Sequence, residues 1–286
     1  MNGFFFIDKP KNLTSRDICN KIQHLFHVKR VGHLGTLDPF ATGLLIVAVG
    51  EATKCLSLLE EDNKEYIGEL LLGNKTDSGD LTGNIIDTKP FNEVTKEKIL
   101  SCFKSFMGKQ KQIPPMTSAI HINGVRLYDL ARQGKEIVRE PRDIEIYSLD
   151  LLSFDGDRII FKTNVSKGTY IRTLASDIAE RLNTCGHLIN LRRTKVGNLK
   201  IIKENNFATL SEKDLVSIND FMSNFMPIVI IDKSLKTKVK NGMPLNLNFK
   251  NDRILLVDDA KNPLAIYIKK ENLFKCLRGF NLDGNN

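Results

Sequence analysis

Two rhythms of apolar residues run along this chain. Short, nearly unbroken apolar runs at 4–7 and 44–49 read as strands buried on both faces. KEYIGELLLG (64–73) and HLINLRRTKVG (187–197) read as further strands, and 158–165 alternates with a period of two. The other rhythm is helical. Ile18, Ile22, Leu25 and Phe26 recur after a cap at Thr14 or Ser15. Ala52, Cys55, Leu56 and Leu59 share a face over 51–59, and Ile99, Leu100, Phe103 and Phe106 lie between Thr95 and a stop at Gly108. From Ile171, the positions Leu174, Ala175, Ile178, Ala179 and Leu182 mark a clear amphipathic helix. Alternation through Ile120, Ile122 and Val125 predicts a hairpin turning at Asn123-Gly124. Beyond about Phe225 the composition changes to short strands (IVII, RILLV, LAIYI) separated by Asn, Gly and Lys, which divides the chain into 1–227 and 228–286.

The stretch GHLGTLDPFATGLL (32–45) breaks both rhythms. Gly32, Gly35, Pro39 and Gly43 crowd around one carboxylate, Asp38, just before the apolar run at 44–49. That pattern reads as a loop feeding a buried strand. Pro39 biases Asp38 toward extended geometry, so its carboxylate projects from a stiff turn. On composition alone such an Asp braces its own turn by bonding nearby N–H groups.

Charge narrows the partner class. The chain has 286 residues with 42 Lys and Arg against 34 Asp and Glu, a formal net charge of +8. This balance fits a polyanionic partner, although solvated lysine-rich faces also produce it. Hydrophobic content of 41% and charged content of 27% are ordinary for a globular protein, and no apolar run approaches the roughly 20 residues that span a membrane. Five cysteines lie far apart with no C-x-x-C or Cys/His ligand spacing, which argues against disulfides and zinc and for a reducing cytoplasm. The Asp- and Gly-rich loop GNKTDSGDLTGNIID (73–87) invites a calcium reading. An EF-hand started at Asp77 would need Glu at its twelfth position and meets Thr88, so no metal is assigned.

GHLGTLDPFATG resembles the catalytic motif of the TruB family of tRNA pseudouridine synthases. Ten of its twelve positions carry the residue usual in that family; Leu34 and Phe40 fall at variable ones. The resemblance continues in D-K-P-x-x-x-T-S (8–15), where Asn12 stands in place of a usual Gly, and in K-x-Y (64–66). It extends through T-D-x-x-D-x-x-G (76–83), S-K-G-T-Y-I-R (166–172) and Q-x-P-P-x-x-S-A with G-x-R-x-Y-x-x-A-R (112–132). In the last of these, Thr117 replaces a usual Tyr and His121 a usual Lys. The C-terminal segment resembles a small PUA-type β domain, and a plain β appendage is the alternative. The resemblance implies an α/β fold of the α+β type, with a mixed, largely antiparallel central sheet flanked by helices.

It also implies site residues. Asp38 would be the nucleophile, Arg172 its partner and Tyr66 an active-site ring. Tyr170 and Leu191 would line the base pocket, and His33 would stack in the disrupted T-loop. Without the resemblance, Tyr66 is half-buried packing and Arg172 a solvated charge. Lys9 is either a solvated turn lysine or an RNA contact, and Arg192, Arg193 and Lys195 are candidate phosphate contacts. Arg126, Arg132, Lys135 and Arg139 form a basic stripe, either an RNA footprint or a solvated face. The implied activity is isomerisation of the T-loop uridine at tRNA position 55, with no metal, cofactor or obligatory protein partner. The competing readings are a non-catalytic RNA-binding protein, a His/Asp hydrolase using His33 and Asp38, and a synthase guided by a partner RNA.

Overall fold

The computed structural model describes residues 1–59, 63–118, 121–122, 124–127, 130, 133–135, 137–200 and 209–282, with only the backbone at 121, 122, 125 and 126. The run FFFI lies in β1 (Gly3–Lys9), where all four residues are buried. Successive strand side chains face opposite ways. Phe5 and Ile7 therefore enter the core on one side of the sheet, and Phe4 and Phe6 the core on the other. Thr14 caps α1 (Ser15–Leu25) reciprocally with Asp17. The Asp17 N–H donates to Thr14 Oγ1 (3.0 Å) and the Thr14 N–H to Asp17 Oδ2 (2.8 Å).

Next come β2 (Val31–Leu34), β3 (Thr42–Val49) and β4 (Lys64–Leu72). Between β3 and β4 the chain winds as a 3-10 helix, Gly50–Leu58, tighter than the helix expected over 51–59. Ala52 and Cys55 are fully buried there and Leu58 packs partly against them, a spacing of three that matches three residues per turn. β5 (Asn74–Thr76) pairs with β6 (Ile85–Thr88), and α2 (Lys96–Ser105), capped by Thr95, leads into β7 (Gly108–Gln112). The predicted hairpin is present as β8 (His121–Ile122) paired with β9 (Val125–Arg126). Ile120, Asn123 and Arg132 lie outside the described residues.

Then follow β10 (Arg142–Asp155), β11 (Arg158–Val165), α3 (Ile171–Arg181), β12 (Gly186–Val196) and β13 (Leu199–Lys200). Among the described residues nine strands form the main sheet in the order β1-β3-β12-β4-β11-β10-β7, with β2 on β3 and β13 on β12. Every pairing is antiparallel except β3 with β12. The sheet is thus mixed and largely antiparallel, as expected. After α4 (Ile218–Met222), a second sheet runs β14 (Ile228–Ile230), β15 (Arg253–Val257), β16 (Pro263–Lys270) and β17 (Leu273–Gly279). A helix absent from the sequence reading, α5 (Lys233–Lys240), joins its first two strands. Leu255, Val257 and Ile266 of this sheet share one core with Phe4 and Phe6, so buried packing crosses position 227. Among the described residues no helix is long and apolar enough to cross a membrane.

Candidate active site

Three adjacent strands, β3, β12 and β4, bring the site together. The Gly-rich loop enters β3, whose Thr42 and Gly43 lie beside Arg192 and Arg193 of β12 in the parallel register. On the other side of β12, Leu191 pairs with Gly68 and Arg193 with Tyr66 of β4. The parallel approach of β3 and β12 is close. Gly43 has φ +99°, and a Cβ there would lie 2.2 Å from the Arg193 carbonyl oxygen. Only glycine fits both conditions.

Buried groups hold the loop main chain. Arg193 donates from Nε to the Leu44 carbonyl (2.8 Å), from Nη2 to Gly35 (3.0 Å) and from Nη1 to Thr36 (3.5 Å). The Ser15 hydroxyl accepts from the Leu37 N–H (2.9 Å) and donates to the Leu37 carbonyl (3.2 Å). The Asn12 N–H donates to the Pro39 carbonyl (2.8 Å), from a turn in which Asn12 has φ +66°. Asn tolerates that conformation, which is how it stands in for glycine.

Lys9 corrects an expectation. It is 0% exposed, and its Nζ donates to the carbonyls of Pro10 (2.9 Å), Leu13 (2.7 Å) and Pro39 (3.2 Å). Burial pulls its ammonium down to about 8, with Asp38 opposing that fall and Arg193 adding to it. Lys9 braces the turn after Asp38 and is not available to RNA. Arg193 is likewise 0% exposed, its guanidinium engaged with the loop carbonyls rather than solvated. Arg192 forks onto Asp8 (2.9 and 2.7 Å), and Lys195 pairs with Glu65 (3.2 Å). Of the basic stripe, Arg132 and the side chain of Arg126 lie outside the described residues, and Arg139 donates to the Pro114 carbonyl (3.1 Å).

Asp38 and Arg172 meet across 134 residues of sequence. Arg172 Nε lies 2.9 Å from Asp38 Oδ2, and Nη2 donates to Oδ1 at 3.3 Å. This two-point grip fixes the plane of the carboxylate as well as its position. Arg172 is only 4% exposed, contrary to the solvated charge that its place at a helix start suggests. Its remaining donors reach the Ser78 carbonyl (2.8 Å), the Thr117 carbonyl (2.8 Å) and Thr117 Oγ1, and Nη1 lies 3.6 Å from Asp80 Oδ2. Asp80 is fixed in turn: its Oδ1 accepts from the Ser78 hydroxyl (2.9 Å) and the Thr82 N–H (2.9 Å). Sequence reasoning did not single out Asp80, although it is the second Asp of the T-D-x-x-D-x-x-G cadence. Burial pushes the Asp38 carboxyl up, Arg172 opposes the push, and the Asp80 charge adds to it.

Asp38, Tyr66, Tyr170, Arg172 and Leu191 all line one cleft of about 570 Å³. The side chain of Asp38 keeps 33% of its surface open. Gln112 holds Tyr170 in place: Gln112 Oε1 accepts from the Tyr170 N–H (2.8 Å), and Nε2 donates to the Tyr170 carbonyl (3.1 Å). Lys64, Arg142 and Lys167 add positive charge to the lining. His33 sits one residue before the lining begins at Leu34. Burial lowers its imidazole, and Nδ1 is buried with no hydrogen-bond partner among the described residues. The arrangement presents an aimed carboxylate, two tyrosines and a leucine in a cleft of the size that takes a small ligand.

Residues 23–171 match the family model described as TruB family pseudouridylate synthase (N terminal domain). Residues 172–221 match that described as tRNA pseudouridylate synthase B C-terminal domain. The chain belongs to the TruB family. Among its TruB relatives, the tRNA pseudouridine synthase B of Geotalea uraniireducens is 41% identical over 254 residues, covering 85% of this chain and 81% of its own. That of Clostridium tetani is 38% identical over 271 residues, covering 93% and 92%. A solved H/ACA ribonucleoprotein bound to a substrate RNA containing 2′-deoxyuridine includes a chain of the same fold, with a TM-score of 0.66 at 21% identity. The match covers 98% of this chain and 85% of that one. The two TruB models meet between Ile171 and Arg172, at the start of α3.

Proposed function

We propose that this chain is a tRNA pseudouridine synthase that isomerises the uridine at position 55 of the T-loop. The observation that carries the reading is the carboxylate of Asp38, held at two points by a buried guanidinium and open to a cleft walled by Tyr66, Tyr170 and Leu191. Uridine and pseudouridine differ only in which uracil atom joins C1′ of the ribose. The C1′–N1 bond breaks, a C1′–C5 bond forms, and one hydrogen leaves C5 while N1 gains one. No energy source is required.

Asp38 adds to the sugar or offsets the positive charge that develops at C1′ as the bond to N1 lengthens. Arg172 opposes the upward push of burial on the carboxyl and aims it. Tyr66 and Tyr170 stack on the freed uracil, and Leu191 excludes water while the base turns. Tyr66 also offers a hydroxyl for proton transfer at C5. The target base is stacked in folded tRNA and must be everted, and His33, kept neutral by burial, fills the space that it leaves. The substrate is the T-arm of tRNA, read by the lone protein, with residues 228–286 as a PUA-like module touching the same RNA. Five free thiols, four of them buried, accord with a cytoplasmic setting.

Position-specific mapping of pseudouridine in bare tRNA, after incubation with the purified chain alone, tests this reading. Conversion at position 55 by the wild type is expected, together with tRNA binding but no release of the C5 hydrogen by Asp38→Asn. Wild-type turnover in the variant removes Asp38 from its role. Strand cleavage or free uracil would favour a hydrolase.

A further inference from the structure

Two hydroxyls in the cleft wall take no part in the chemistry above. Thr117 Oγ1 accepts from Arg172 Nη1, on the guanidinium that aims Asp38. The next residue, Ser118, lines the same cleft and is only 5% exposed. Its Oγ is buried and has no hydrogen-bond partner among the described residues. A buried hydroxyl without a partner destabilises the free protein, and nearly all such groups in native structures are paired. One χ1 rotation moves a serine hydroxyl between staggered positions, so a group seated in the cleft can collect it.

The position of the pair limits what that group can be. Thr117 touches the arginine that holds Asp38, and Asp38 acts at C1′. The wall at 117–118 therefore stands beside the reacting carbon. Two oxygens of a uridine flank the glycosidic bond there, the 2′-hydroxyl of the ribose and the C2 carbonyl of the base. A serine hydroxyl donates and accepts, so it suits either.

We propose that Ser118 is a substrate-contacting residue whose hydroxyl bonds the oxygen flanking the glycosidic bond of the everted uridine. The inference rests on the reading of the cleft as a uridine-isomerising site. It makes the Thr117-Ser118 wall a place where the enzyme senses its nucleotide next to the bond that breaks, separate from the rings that hold the base.

The test is competition binding by the full-length wild type and Ser118→Ala. The ligands are T-arm stem-loops carrying uridine, 2′-deoxyuridine or 2-thiouridine at the target position. Ser118→Ala is expected to bind the uridine loop about three- to tenfold more weakly, the worth of one neutral hydrogen bond. One of the two substituted loops, already lacking the proper oxygen, should then lose less than about twofold. If it is the deoxy loop, the contact is the 2′-hydroxyl; if the thio loop, it is the C2 carbonyl. The variant should melt at the same temperature as the wild type or higher, because it discards an unpaired buried hydroxyl. Equal weakening on all three loops, or none, overturns the inference, as does a lowered melting temperature with equal weakening. Conversion of the uridine loop by the wild type is measured alongside. Its failure removes the isomerase reading, whereas conversion without coupling removes only the role of Ser118.

Discussion

Replacing Arg172 by lysine and by methionine separates the shape of its side chain from its charge. The guanidinium reaches Asp38 from Nε (2.9 Å) and Nη2 (3.3 Å) while its other donors hold the carbonyls of Ser78 and Thr117 (both 2.8 Å). A lysine ammonium is a point charge and cannot span these directions together. Losing one charge-assisted bond to Asp38 costs about 1.5–3 kcal/mol, so kcat of Arg172→Lys should fall about 10- to 150-fold. Arg172→Met also removes the charge. Burial is the largest influence on the Asp38 carboxyl and raises it, Asp80 adds to that, and Arg172 is the main group opposing both. Without Arg172 the carboxyl rises further, so the reactive carboxylate is lost at a higher pH as the solution is acidified. The acid limb of the rate profile should therefore move upward in pH for methionine and stay near the wild-type position for lysine. Tritium release from C5 of uridine in T-arm RNA, followed under single-turnover conditions between about pH 5 and 9, reads both effects. A methionine variant with an unmoved acid limb, or a lysine variant at wild-type rate, would refute the reasoning.

Two further outcomes follow from the packing around the loop. Gly43→Ala places a Cβ 2.2 Å from the Arg193 carbonyl oxygen at φ +99°, and should destabilise the fold by about 3 kcal/mol or more. An unchanged urea midpoint would mean that β3 and β12 do not approach as described. Affinity for tRNA should fall with added salt. The slope should flatten by about one for Lys167→Gln at the cleft and by less for Lys195→Gln, which shares Glu65 with Lys162. Equal slopes for the two variants would place the RNA elsewhere.

What could be read from the sequence was mostly local. The start of α3 at Ile171, the strand Arg158–Val165 and the positive φ at Asn12 follow from periodicity and turn chemistry, which act within a few residues. The 14-residue β10 escaped notice because register shifts between Ile146 and Ser148, and between Leu151 and Ser153, interrupt its alternation. The lysine-rich α5 buries only Val239, so it has almost no apolar face to detect. The misread cations are the clearest case. Lys9 and Arg193 look like surface charge because a sequence records a cation but not the three carbonyls that let it be buried. For Arg193 all three come from the distant Gly-rich loop and β3; for Lys9 they come from Pro10 and Leu13 of its own turn and from Pro39. Asp80 was passed over for the same reason: its partner Arg172 lies far along the chain.

The strand β1 ties the tail of the molecule to the turn that carries Asp38. Phe4 and Phe6 share a core with Leu255, Val257 and Ile266, and Phe4 stacks on Phe221 with ring centroids 3.7 Å apart. At the far end of the same strand, Asp8 grips Arg192 and Lys9 grips the Pro39 carbonyl. A stiff strut of seven residues, about 20 Å long, therefore anchors the aspartate's turn in the C-terminal layer. The tail acts as ballast for the carboxylate's aim, whatever RNA it also touches.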